Sequence, residues 1–100
     1  MILYSVTVNI ERGIEQEWLY WMKNVHLPEI MATGLPMGKK VLRLLTEFEN
    51  EGTTYSCQYY FQTMEDYFTY DQLYSKELQD KHHFRFQNKY VAFRTLLEEV

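Results

Sequence analysis

The sequence has few of the residues that disulfides, metal sites and membrane anchors require. Cys57 is the only cysteine, which excludes an intrachain disulfide and a cysteine-based zinc site and favours a reducing compartment. No apolar run approaches the ~20 residues that cross a bilayer. The first residues, Met1 to Ser5, enter a strand pattern without a basic leader, which predicts that there is no signal peptide. We therefore expect a cytoplasmic protein of bacterial type.

Basic residues are in the minority as well. Ten lysines and arginines face 14 aspartates and glutamates, and the formal net charge of -4 argues against nucleic-acid binding, which needs a basic face. The sequence has no glycine-rich phosphate loop, and we expect neither a cofactor nor a metal. Aromatic residues, in contrast, reach 17%, and nine of them are tyrosines. A tyrosine packs an apolar ring but needs a partner for its hydroxyl, so this composition is typical of half-wet interfaces and pocket walls.

The first third of the chain predicts one strand and two helices. Apolar residues alternate with others from Ile2 to Ile10, which indicates a strand. Apolar side chains then recur at helical spacing and predict an amphipathic helix with an aromatic stripe, made of Ile14, Trp18, Trp21, Met22 and Val25. Pro28 is expected to end that helix and to begin a short one, which Gly34 would cap.

The rest of the chain predicts a strand pair, a long helix and a last strand. Alternation and turn residues predict strands Lys39 to Phe48 and Thr53 to Gln62, a hairpin turn at Asn50-Glu51-Gly52, and a last strand from Tyr90 to Glu98. Thr63 and Asp66 resemble a capping box, and the helix that they begin runs to about Phe86. The predicted inner stripe of this helix consists of Tyr67, Tyr74, Leu78, His82 and Phe86.

This order of elements is that of one ferredoxin-like domain spanning residues 1–100. Such an α+β fold has a four-stranded antiparallel sheet, with strands 1 and 3 in the centre and two helices on one face. The sequence does not decide which face the helices cover, because neither face is plainly polar. We expect the uncovered face to pack against a second copy of the chain, which would give a homodimer of the dimeric α+β-barrel type.

Eight segments distributed along the chain carry a family resemblance. They are Glu17-Trp18, Trp21-Met22-Lys23, His26-Leu27-Pro28-Glu29, Met31-Ala32-Thr33-Gly34, Leu42-Arg43-Leu44-Leu45, Thr54-Tyr55-Ser56, Met64-Glu65-Asp66-Tyr67 and Val91-Ala92-Phe93-Arg94-Thr95-Leu96-Leu97-Glu98. These segments resemble an uncharacterised family of short bacterial proteins known only as a domain of unknown function. The resemblance spans essentially the whole chain. It implies a ferredoxin-like, dimeric α+β-barrel fold and no activity.

The first helix carries a second, shorter resemblance. An aromatic-rich helix that runs into His26-Leu27-Pro28 is similar to segments of dimeric-barrel families of the EthD and mutarotase type. Some of those families bind small organic ligands between the sheet and the helices. This resemblance assigns no catalytic residue to the chain.

His26 and Glu29 are the candidate catalytic pair. They lie three residues apart across a predicted helix start, where a carboxylate near an imidazole would give a general base near neutral pH. The alternative is structural: His26 caps the helix that contains Pro28, and Glu29 interacts with the positive end of the helix dipole.

Five further residues are candidates for binding a ligand. Trp18 and Trp21 would form a flat pocket wall, although such a stripe is also typical of a core. Gln58 and Arg94 would share one sheet face with Thr7, Asn9 and Ser56, and this polar strip would need a ligand if helices covered it. His82 would add a second imidazole, or would simply complement the dipole at a cationic helix end.

Two functions are consistent with this sequence. The first is the binding of a small polar or aromatic organic ligand between the sheet and the first helix, with or without a cofactor-free conversion. The second is a non-catalytic homodimeric module, in which the aromatic residues serve the core and the interface. The sequence does not decide whether the protein is an enzyme, and it excludes neither function.

Overall fold

The fold is built around one antiparallel sheet. A computed structural model of the chain describes residues 1–46 and 52–100. Its strands run in the order β2-β3-β1-β4, with bounds β1 Ile2–Glu11, β2 Gly38–Arg43, β3 Gly52–Phe61 and β4 Tyr90–Glu98. Strands β1 and β3 are central, as predicted, and all three strand pairs are antiparallel.

Strand β2 is shorter than the alternation of apolar residues suggests. It was predicted to reach Phe48 but ends at Arg43, and Leu44 adds only one more backbone hydrogen bond, from its N–H to the Thr54 carbonyl at 2.9 Å. The end of the predicted strand and the first residues of the predicted hairpin turn, 47–51, lie outside the described residues. The bounds of β4 agree with the prediction, and β3 begins and ends one residue earlier than predicted.

The first helical segment is continuous where the sequence predicts a break. It consists of α1 (Glu15–Trp21), a π-helical turn (Met22–His26) and α2 (Leu27–Met31). Pro28 does lie in the first turn of α2, and Gly34 has the left-handed φ of 77° that stops a helix. Pro28 has no N–H for the helix ladder and crowds the preceding turn, and the wider π turn accommodates it without ending the helix.

The second helical segment also contains a π turn. It consists of α3 (Met64–Tyr70), the π turn (Asp71–Ser75) and α4 (Lys76–Phe86). The predicted cap at its start is confirmed, because Thr63 Oγ1 accepts a hydrogen bond from the Asp66 N–H at 3.1 Å. The predicted place of Tyr74 on the inner stripe is wrong: Tyr74 is 37% exposed and Tyr70 only 4%. The π turn adds one residue to the helix and rotates the stripe.

Both helical segments cover the same side of the sheet, which we call the inner face. It carries the even-numbered residues of β1, and through the strand register also Tyr55, Cys57, Tyr59 and Phe61 of β3. Aromatic rings join the two layers, for example Phe61 to Tyr70 at 5.5 Å between ring centroids. Burial raises the pKa of the Cys57 thiol to about 12, which agrees with the buried, unreactive thiol that its strand position indicates.

The opposite side of the sheet, the outer face, combines polar and apolar side chains. Ser5 and Ser56 are hydrogen bonded through their hydroxyl oxygens at 3.0 Å, and Asn9 Nδ2 donates to Thr54 Oγ1 at 2.9 Å. Beside them lie exposed apolar side chains, which include Leu42, Val91, Phe93 and Leu97. Within the described residues, no helix is long and apolar enough to cross a membrane.

Candidate functional site

His26 lies at the end of the first π turn and is buried. In a π turn the hydrogen bonds join residues five apart, here the Leu27 N–H to the Met22 carbonyl. Residues five apart therefore share a face, and the His26 ring stacks on Trp21 with 4.7 Å between centroids and 20° between planes. His26 Nδ1 is buried and has no hydrogen-bond partner among the residues that the structure describes. It is an unpaired polar atom in an aromatic environment, which costs free energy unless something binds to it.

His82 extends into the same region from α4. Trp18 Nε1 donates a hydrogen bond to His82 Nε2 at 2.9 Å. An indole nitrogen can only donate, so Nε2 must carry the lone pair, and the proton of the neutral ring is on Nδ1. Tyr90 packs edge-on against the ring at 4.6 Å, and the centroids of His26 and His82 are 5.9 Å apart. The tautomer of His82 is thus fixed by the core.

Both imidazoles are neutral at neutral pH. Burial lowers the pKa of His26 from 6.5 to about 4, and the nearby Glu29 carboxylate opposes this only partly. Burial also lowers the pKa of His82 to about 4, with smaller contributions from His26 and Arg94. The sequence predicted that His26 would be a general base with a pKa near neutral pH. The loss of hydration lowers its pKa more than the Glu29 carboxylate raises it, so this prediction does not hold.

Glu29 does not bind His26. Its Oε2 accepts a hydrogen bond from Lys81 Nζ at 2.7 Å, which joins the two helical segments at the surface. His26 does not cap α2 either: its backbone is helical, with φ -72° and ψ -50°, and its side chain makes no capping hydrogen bond. Because the helix does not break at Pro28, there is no free helix start at this position to cap.

A small cavity lies between the inner face and the two imidazoles. Its volume is about 40 Å³. The walls combine aliphatic, aromatic and imidazole groups with one cation: Tyr4, Val6, Val8, Met22, His26, Ile30, Tyr59, Tyr70, Leu78, Gln79, His82, Tyr90, Ala92 and Arg94. Trp18 and Trp21 stand behind this wall, since Trp18 holds His82 and Trp21 stacks on His26. They position the imidazoles without lining the cavity.

Arg94 and Gln58 are on opposite faces of the sheet. Arg94 pairs with Val6 in the β1–β4 register, which places it on the inner face at the cavity. Gln58 pairs with Ser5 on the outer face, where its Nε2 donates to Ser56 Oγ at 3.2 Å. The prediction that Arg94 shares a strip with Thr7, Asn9, Ser56 and Gln58 is therefore wrong by one residue of strand register, which reverses the face of every side chain.

Sequence reasoning missed three tyrosines and a glutamine at the cavity: Tyr4, Tyr59, Tyr70 and Gln79. Burial raises the pKa of Tyr4, against the effect of Arg94, and raises those of Tyr59 and Tyr70 strongly. Their hydroxyls therefore stay protonated and can donate hydrogen bonds. The alternation did place Tyr4 and Tyr59 on one face, and their hydroxyls were the available signal. Tyr70 lies three residues after Tyr67 in α3, and this helical spacing was its signal.

A larger hollow elsewhere is a less suitable site. It is a groove of about 930 Å³ on the solvent side of the helices, bordered by apolar residues such as Val25, Leu73 and Phe84. Charged residues on its rim already pair with each other, Lys76 with Asp80 and Lys81 with Glu29. No imidazole lines it. Among residues 1–46 and 52–100, no three His, Cys, Asp or Glu side chains cluster as a metal ion would require.

Sequence comparison identifies the family of the chain but no activity. The model of a domain of unknown function, DUF4286, matches residues 1–100. The chain belongs to this family. The resemblance to a domain of unknown function is thereby confirmed, and no curated protein matches this DUF4286 member.

Solved structures similar to this DUF4286 chain share its fold at low sequence identity. An EthD-family protein from Bacillus halodurans is 17% identical over 100% of both chains, with a TM-score of 0.73. HapK from Hahella chejuensis is 8% identical over 100% of this chain and 93% of its own, with a TM-score of 0.72. A variant of MhuD with two manganese protoporphyrin IX molecules per active site is 14% identical over 100% of this chain and 95% of its own, with a TM-score of 0.69. At these identities the likeness is one of fold alone.

Proposed function

We propose that this protein binds a small polar organic molecule in the cavity between the inner face and the two imidazoles. The observation that carries the proposal is the buried His26 Nδ1, which has no partner and lies in a residue that lines the cavity. Buried polar atoms are paired in the great majority of cases, so an unpaired one beside a cavity points to a ligand or an ordered water.

The surroundings of the two imidazoles favour binding over proton abstraction. With pKa values of about 4, His26 and His82 are weak bases at neutral pH. Among the described residues, no carboxylate forms a hydrogen bond with either ring that would activate it. A general base works best when its pKa is near the working pH. Neutral imidazoles held by Trp18 and Trp21 are instead rigid hydrogen-bonding groups, which suits the recognition of a ligand.

Structures of the same fold are consistent with ligand binding. The MhuD variant is described with two manganese protoporphyrin IX molecules in each active site. That ligand belongs to that protein, and a porphyrin is far larger than the 40 Å³ cavity of this chain. The comparison supports the proposal only to the extent that this fold can enclose an organic molecule. The compound bound here must be much smaller.

A fragment screen by NMR tests the proposal. The Trp18 indole N–H is a built-in reporter, because it donates directly to His82 at the cavity. We expect some polar fragments to shift this signal and to raise the melting temperature, since a ligand that binds only the folded state stabilises it. In a His26→Phe variant, which keeps a ring against Trp21 but removes Nδ1, both effects are expected to fall to background.

The matched control is Lys23→Gln, because Lys23 lies in the same π turn as His26 and is exposed. It is expected to respond to fragments as the wild type does. If no fragment shifts the Trp18 signal, or if His26→Phe responds like the wild type, the cavity is not a ligand site.

The outer face supports a second proposal, a homodimer formed through the sheet. Val91 is 70% exposed and Phe93 64%, and both lie on β4 at the edge of this face. Monomeric proteins seldom expose contiguous apolar patches, so a patch of this kind marks an interaction surface. A second copy of the chain would cover it with the same patch, as two-fold symmetry requires. This role is compatible with ligand binding and would remain if the cavity proved empty.

Sedimentation measurements test whether the outer face forms a homodimer. We expect the wild type to sediment as a dimer at micromolar concentration and Phe93→Glu to sediment as a folded monomer, because a charge buried in an apolar contact is costly. Phe84→Glu is the control, since Phe84 is 79% exposed on the helical side of the molecule. A monomeric wild type, or a monomeric Phe84→Glu variant, would contradict a dimer formed by the outer face.

A further inference from the structure

Arg94 is a cation without an acidic partner. Three ion pairs join described residues, and they involve Lys76, Lys81 and Lys89. Within residues 1–46 and 52–100, no carboxylate oxygen lies within ion-pair distance of Arg94. Arg94 is an exposed residue of the edge strand β4, and it lines the cavity.

Within the part of the chain that the structure describes, the cavity contains no negative charge that would neutralise this cation. None of the described residues that line it is an aspartate or glutamate. The Asp71 carboxylate helps to raise the pKa values of Tyr4 and Tyr70. It is exposed, however, and does not line the cavity. The positive charge of Arg94 is therefore available to interact with an anion that enters the cavity or with solvent at the edge of the cavity.

Several other polar groups of the cavity can donate hydrogen bonds. Because His82 Nε2 accepts from Trp18, the other ring nitrogen of His82 is an N–H donor. The Tyr4 hydroxyl stays protonated because burial raises its pKa. The guanidinium adds five N–H donors and has no hydrogen-bond acceptor. Together these donors are complementary to an anionic oxygen.

The size of the cavity limits the anion. A volume of 40 Å³ holds roughly three water-sized groups. This is enough for the carboxylate head of an organic acid but not for an aromatic ring. A planar carboxylate also matches the planar fork of an arginine, which can donate two parallel hydrogen bonds to it.

We propose that the cavity binds the carboxylate head of a short-chain aliphatic organic acid, with Arg94 as its counter-ion and the Nδ1 atoms of His26 and His82 as further hydrogen-bonding groups. This inference rests on the proposed function, since it names the ligand class of the same site. Arg94 would then be the residue that distinguishes a carboxylate from a neutral group of the same shape.

Propionate and propionamide are matched probes, because they have the same shape and differ in charge. In NMR titrations that follow the Trp18 indole N–H, we expect propionate to bind the wild type at least about tenfold more tightly than propionamide, as charge-assisted hydrogen bonds imply. Arg94→Gln should bind propionate about tenfold more weakly than the wild type, and Arg94→Lys, which keeps the charge but not the fork, should lie between them.

Arg12→Gln provides the control for net charge, because Arg12 is exposed in a different part of the chain. It should bind propionate within about twofold of the wild type, since an exposed charge far from the site is screened by salt. Equal binding of propionate and propionamide, or an Arg94→Gln variant that binds propionate normally, would overturn the carboxylate assignment and leave the proposed function intact. Failure of both probes and of all the polar fragments would overturn both.

Discussion

Lowering the pH from 7 to 4 is expected to destabilise this protein by several kcal/mol, through two histidines. His26 and His82 have pKa values of about 4 when folded, below the value of 6.5 that applies to the unfolded chain. Between these two values the unfolded chain binds more protons, so stability is fully present above pH 6.5 and is lost as the pH falls toward 4. Each histidine contributes roughly 3 kcal/mol to this loss.

Urea unfolding curves between pH 7 and 4 measure the effect, and variants isolate it from the titration of carboxylates. His82→Gln keeps an acceptor for the Trp18 indole but cannot be protonated, and His26→Phe keeps the stack on Trp21. Each should remove about half of the pH-dependent loss. Lys23→Gln, at an exposed position of the first π turn, is the control and should lose stability like the wild type. A wild type that is equally stable at pH 7 and pH 4 would show that the two imidazoles are not held neutral by burial.

Replacing Trp18 by alanine is expected to lower the free energy of unfolding by about 4 kcal/mol. Trp18 is fully buried, and its ring packs against Tyr55 with 5.1 Å between centroids. The change leaves a large void and also leaves His82 Nε2 without its donor. Trp18→Phe fills most of the void but cannot donate, so it should cost less than Trp18→Ala and still disturb His82.

Chemical denaturation curves of the wild type and the variants, fitted with one shared m-value, measure this loss. Tyr20→Ala is the matched control, because Tyr20 lies on the same helix and is 70% exposed, and it should change stability by no more than about 0.5 kcal/mol. Comparable losses in Trp18→Ala and Tyr20→Ala would contradict the role of Trp18 as the centre of the core at this end of the sheet.

The strands and the order of the sheet were predictable from the sequence because their signals are local. Alternation in β1 follows directly from one buried face, and the bounds of β4 agree with its pattern. The π turns were not predictable, since nothing in Met22–His26 or Asp71–Ser75 distinguishes a π turn from an α turn in composition. The effect of the second π turn appears at Tyr74, which lies within it and is exposed, whereas Tyr70 directly before it is buried.

The candidate site was predicted in its components but not in its assembly. The sequence placed His26 at a helix junction and His82 on an inner stripe, and it named Arg94 as a ligand-binding residue. That these three meet at one cavity depends on the packing of α4 against the π turn and on the pairing of β4 with β1. Strand register is a tertiary property, and an error of one residue was enough to group Arg94 with Gln58.

The π turn at Met22–His26 affects how this chain should be aligned with others. Such a turn holds one residue more than the α-helix around it, so a homologue with an unbroken α-helix would be one position shorter there. An alignment without a gap inside this turn would pair His26 with a residue that points elsewhere. Any search for equivalents of His26 should therefore superimpose backbones first and compare residue types second.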